Sequence, residues 1–144
     1  MYQDARRLED LLDREIEAAR ALSIALEAER AALTGAAPAA VHETAAEKVR
    51  LLGVIEALET ERRSIWGSSE THAPSLAASV AERWRALMEL MAGCRTANEV
   101  NGHIIHIRQH QIHQLIDIVR GGTPVTYGPQ GKTFAKALRA LAWA

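Results

Sequence analysis

The stretch Leu8-Glu9-Asp10-Leu11-Leu12-Asp13-Arg14-Glu15-Ile16-Glu17-Ala18-Ala19-Arg20-Ala21-Leu22-Ser23-Ile24-Ala25-Leu26 decides the fold. Within it Leu8, Leu12, Ile16, Ala19, Leu22 and Leu26 recur three or four residues apart, the period of one face of an α-helix. The pattern extends over residues 3–33 and stops at Thr34-Gly35-Ala36-Ala37-Pro38, where glycine and proline end helices. Beyond that break Val41, Ala45, Val49, Leu52, Ile55, Leu58 and Ile65 repeat the spacing over residues 38–66. Each segment predicts an amphipathic helix on the order of 45 Å long at 1.5 Å per residue. The short connection folds the two into an antiparallel hairpin.

A second break, from Gly67-Ser68-Ser69 to Pro74, precedes a proline-free segment over residues 75–120, which predicts a third long helix. Gly93 and Gly102 lie inside it, each worth about 1 kcal/mol less than alanine there, so a kink or a close approach is expected near them. Trp66 ends the second segment and Trp84 enters the third, so the two indoles should meet as core and close that end. Residues 121–144 form a separate unit. Gly121-Gly122-Thr123-Pro124 and Gly128-Pro129-Gln130-Gly131 predict a flexible loop, and Lys132 to Ala144 a short amphipathic helix with Phe134, Ala137, Leu138 and Leu141 on one side. The whole is an all-α protein: a long antiparallel hairpin plus a third long helix in a coiled-coil-like bundle over 1–120, with a C-terminal tail over 121–144.

Composition agrees. Of 144 residues, 48% are apolar but only 4% aromatic, and 27 are alanine, a mixture that favours helices over sheets. Lys and Arg number 17 against 18 Asp and Glu, which leaves no broad basic field for a nucleic acid. The charged N-terminus lacks the apolar stretch of a signal peptide, and no window approaches the roughly 18 apolar residues of a membrane span. One cysteine, Cys94, permits no internal disulfide; in mid-helix it reads as a packing residue rather than a reactive thiol.

Four histidines, His103, His106, His110 and His113, share an arc of about 80° on the third helix. Their spacing suits a side-on metal site. Ile104, Ile105, Ile112, Leu115, Ile116 and Val119 centre on the opposite side, however, so the histidines read as an exposed polar stripe, with metal binding as the alternative. Asn101 and Arg108 fall within the apolar face. A buried guanidinium requires a partner, and Glu15, Glu56 and Glu59 are the candidates. The pair reads as a register-fixing polar layer or as a polar anchor in a groove that a partner helix occupies. Nothing resembles a nucleophile with its base, a carboxylate pair or a phosphate loop, so no enzyme activity and no cofactor are implied.

Cys94-Arg95-Thr96-Ala97-Asn98-Glu99-Val100-Asn101-Gly102, followed by Ile104-Ile105, Arg108-Gln109, Leu115 and Tyr127-Gly128-Pro129-Gln130-Gly131, resembles the C-terminal signature of the FlgN-like flagellar export chaperones. The resemblance covers roughly residues 90–131. It implies a helical cytoplasmic protein that binds hook-associated proteins one and three, shields their C-terminal helical segments and delivers them to the type III export gate. Client binding would then fall on the segment from about Asn98 to Leu141, including Asn101, Arg108, Leu115, Phe134 and Leu138, and gate docking on Tyr127. The third helix and the tail would form the groove, with Phe134, Leu138 and Leu141 protected on client binding. The histidine stripe inherits no role. A monomer or weak dimer is expected, and a structural coiled-coil adaptor is a further alternative.

Overall fold

The computed structural model describes residues 2–35, 37–66 and 78–121. Three helices account for nearly all of them: α1 (Tyr2–Thr34), α2 (Pro38–Trp66) and α3 (Ala78–Val119). Their bounds lie within three residues of those read from the sequence. The Gly35 amide donates to the Ala31 carbonyl at 3.0 Å and closes α1. Proline opens α2, at the position where its missing N–H would have had no partner. Gly121, at φ +80°, ends α3 in the left-handed conformation that favours glycine, its amide donating to Ile118 at 3.1 Å.

α1 is the centre of the bundle. Three rows of its side chains are buried, namely Leu8, Glu15, Leu22 and Glu29; Leu11, Ala18, Ala25 and Ala32; and Leu12, Ala19, Leu26 and Leu33. Members of each row are one heptad apart, the repeat of helices that pack at a shallow angle. Three rows are more than one partner helix covers, and α1 has two. α2 runs antiparallel to it, and α3 runs parallel. That direction is evident from Ser79 bonded to Glu9, Arg83 to Asp13, Cys94 to Ala19 and Asn101 to Leu26, contacts that climb both helices together. Alanines in the middle rows let the backbones approach. The backbones of α2 and α3 stay apart from each other along almost their whole length.

Two expectations are corrected here. The buried face of α2 comprises Leu51, Ile55, Leu58 and Arg62, while Val49 and Leu52 are exposed. α2 packs chiefly on α1, so a narrow seam suffices, and it is turned to bring Arg62 onto the buried Glu15. α3 runs unbroken through Gly93 and Gly102, and a Cβ at either would meet nothing within 4 Å. Neither glycine serves a close approach.

The buried positions of α3, Val80, Leu87, Cys94, Asn101 and Leu115, keep the heptad. Arg108 occupies the same series but is only half-buried. Asn101 is level with Leu26 and Glu29, so Arg108, two turns further on, reaches the level where α1 ends. Its predicted partners are engaged elsewhere: Glu15 with Arg62 and Glu59 with Arg63, while Glu56 is exposed. Ile116 and Val119 are exposed, whereas Leu115 in the same stretch of α3 is buried. Trp66 and Trp84 meet edge to face at 5.5 Å, as expected, although each is only half-buried.

Candidate functional site

The α2 and α3 backbones flank α1 without approaching each other, their side chains meeting at Trp66–Trp84, Arg62–Trp84 and Lys48–Asn98, and a trough runs between them with α1 as its floor. Two cavities, of about 570 and 140 Å³, lie along it and adjoin at Met91 and Arg95, which line both. Leu22 and Leu26 of α1 floor one half and Glu15 the other. Lys48, Leu52, Ile55 and Glu59 of α2 face Trp84, Met88, Met91 and Asn98 of α3. From Trp84 to Asn98 the trough is about 21 Å long at the rise of an α-helix, or roughly four turns. Leu52 and Met88, 44% and 40% exposed, stand on its opposite walls.

A polar layer closes each end. At one, the Arg62 Nε donates to both oxygens of Glu15, at 2.9 and 3.2 Å, and its guanidinium lies 4.7 Å from the centre of the Trp84 ring. Both charged groups are almost completely buried. Burial raises the Glu15 carboxyl above its ordinary pKa, outweighing the opposing pull of Arg62. At the other end the Lys48 ammonium donates to Glu29 at 2.7 Å and to Asn98 Oδ1 at 3.3 Å, while Asn101 Nδ2 donates to Glu29 at 2.8 Å and to the Leu26 carbonyl at 2.9 Å. This layer joins all three helices. Among the described residues, Arg62 Nη1 and Asn101 Oδ1 are buried without a hydrogen-bond partner.

The sequence-derived candidates separate. Asn98 and Asn101 belong to this second layer, Asn98 at the rim and Asn101 buried within it. Leu115 is buried and Arg108 half-buried, both beyond the trough, and burial pushes the Arg108 guanidinium below its usual pKa. Tyr127, Phe134, Leu138 and Leu141 lie outside the described residues. His103, His106, His110 and His113 are all exposed, with His110 bonded to Gln114 at 3.1 Å, and no group of three or more metal-ligating side chains converges among the described residues. Cys94 packs in the core, its thiol donating to the Ala19 carbonyl at 3.6 Å, and burial raises its pKa. Glu15, Glu29, Lys48 and Arg62 were not singled out as an ensemble by sequence reasoning. The signal available was the fall of a charged residue into the heptad series of each hairpin helix.

No helix among the described residues is long and apolar enough to cross a membrane. Among the described residues the three-helix bundle thus carries, between α2 and α3, a trough lined by both apolar and charged side chains. The family model described as "FlgN protein" matches residues 1–134, nearly the whole chain, and the chain belongs to that family of flagellar export chaperones. No curated protein and no solved structure matches it.

Proposed function

We propose that this chain is a cytoplasmic export chaperone for hook-associated proteins one and three. It holds a C-terminal helical segment of such a client until the client reaches the export gate. What carries the reading is a trough about four turns long, with Leu52, Met88 and Met91 on its walls among charged side chains, in a chain that matches the FlgN family over residues 1–134. A client helix laid against Leu52, Met88 and Met91 hides its own apolar face, which blocks premature self-association. An open trough releases its occupant more readily than an enclosed pocket, as export demands. No catalytic group is needed. The tail extends the binding surface through Phe134, Leu138 and Leu141, and Tyr127 is the contact to the gate; both roles rest on the family resemblance.

Co-expression with a hook-associated protein tests the reading. A stoichiometric complex that survives gel filtration, and is lost when the client's C-terminal helical segment is deleted, is the expected result. A client that elutes alone, with the chaperone fully folded, overturns it.

A further inference from the structure

Charge within the trough is unevenly distributed. Its lining carries Lys48, Arg62, Arg63 and Arg95, and three of these four cations are already matched: Lys48 by Glu29, Arg62 by Glu15 and Arg63 by Glu59. Arg95 forms no ion pair among the described residues. It is also the charged side chain common to both cavities, exposed between Met91 and Asn98 on the α3 wall. An uncompensated guanidinium on an apolar surface is a weak point for an apolar helix, whose binding would strip water from it without return. For a helix carrying a carboxylate at that level, the same group supplies a charge-assisted, two-pronged contact.

From this geometry, and resting on the chaperone reading above, we infer that the trough selects an amphipathic helix with an acidic residue placed against Arg95. The occupant spans about four turns. Its aliphatic face lies along Leu52, Met88 and Met91, and its Asp or Glu sits toward the end marked by Lys48 and Asn98. The chain's own tail does not meet this description. Residues 122–144 contain no Asp or Glu, and Lys132, Lys136 and Arg139 are basic, so an intramolecular occupant would set like charges beside Arg95. The partner is therefore a helix from another protein, recognised by one carboxylate as well as by its apolar face.

Calorimetry with the full chain and the C-terminal helical segment of a hook-associated protein tests this, using Arg95→Glu and Leu52→Glu at exposed positions where folding tolerates a charge. Circular dichroism melts verify that both variants stay folded. Leu52→Glu is expected to abolish binding. Arg95→Glu is expected to weaken it at least tenfold, and reversing one acidic residue of the segment to lysine should restore most of the loss for Arg95→Glu alone. Wild-type chain that fails to bind the segment overturns the chaperone reading and the inference with it. Binding lost with Leu52→Glu but unaltered by Arg95→Glu leaves that reading intact and overturns the acidic contact. Binding unaltered by either variant but lost on removal of residues 122–144 places the client on the tail, and overturns the trough as its seat.

Discussion

Glu15 and Glu29 lie two heptads apart on one face of α1, both buried, and each is met by a cation from α2: Arg62 at 2.9 Å and Lys48 at 2.7 Å. Antiparallel helices can make both contacts in only one register. A shift by one turn would leave the buried Glu15, Glu29 and Arg62 without partners, several kcal/mol each in the protein interior. The two pairs therefore fix how α2 lies on α1, and with it the position of the wall that carries Leu52.

The inner pair predicts an asymmetry. Glu15→Ala leaves Arg62 buried beneath Trp84 without its carboxylate, and should cost about 3–5 kcal/mol in urea unfolding. Replacing both, Glu15→Leu with Arg62→Met, should restore stability to within about 1 kcal/mol of wild type or exceed it. A single variant as stable as wild type would contradict the burial of the pair.

The pH dependence of that pair has a definite sign. Burial raises the Glu15 pKa in the folded state, so the folded chain holds the proton more tightly than the unfolded chain. The contribution is full below the unfolded pKa and is lost as pH rises through the folded one. Compared with Glu15→Gln, which does not titrate there, wild type should gain stability as pH falls from neutral into the mildly acidic range. Urea midpoints of both proteins across that range measure the difference. A relative loss by wild type on acidification would show that Arg62, not burial, controls the carboxyl.

Asn101 supplies the α3 share of the outer layer. Asn101→Ala removes donors to Glu29 and to the Leu26 carbonyl, and should cost about 1–3 kcal/mol. Asn101→Asp sets a second carboxylate against Glu29 and should cost more at neutral pH, with part of the loss recovered on acidification as one carboxyl takes up a proton. Thermal melts of both variants, at neutral and acidic pH, are the check. An aspartate variant that melts with wild type at neutral pH would place Asn101 outside the layer.

Gly93 and Gly102 sit in the interior of an unbroken helix with open space where a Cβ would project. Alanine at each should stabilise the protein by about 0.5–1 kcal/mol through helix propensity. Destabilisation at either site, read from the unfolding midpoint, would reveal a backbone contact at that glycine.

The helices were legible because Pro38, Gly35 and the Gly67 to Pro74 stretch interrupt a strong apolar period, and backbone chemistry alone dictates what such breaks do. The meeting of Trp66 and Trp84 followed from connectivity. The face of α2 was not legible. Leu51 and Leu52 fit a helical stripe equally well, and the choice between them depends on where Arg62 is drawn, a tertiary fact. Arg108 was assigned partners by charge alone, whereas register carries it past Glu15 to the level where α1 ends. The trough could not be read in advance, because it is a gap left by two helices that each prefer α1, and no residue pattern encodes a gap.

Methyl NMR of the full chain, titrated with the C-terminal helical segment of a hook-associated protein, tests the central claim most directly. The Leu52, Met88 and Met91 methyls line the trough, while Ile24 and Ile107, 69% and 56% exposed, are not among its lining residues. The account predicts large shifts and intermolecular contacts at Leu52, Met88 and Met91, with Ile24 and Ile107 unmoved. Shifts confined to Ile24 or Ile107, with the three trough methyls unchanged at saturation, would contradict it.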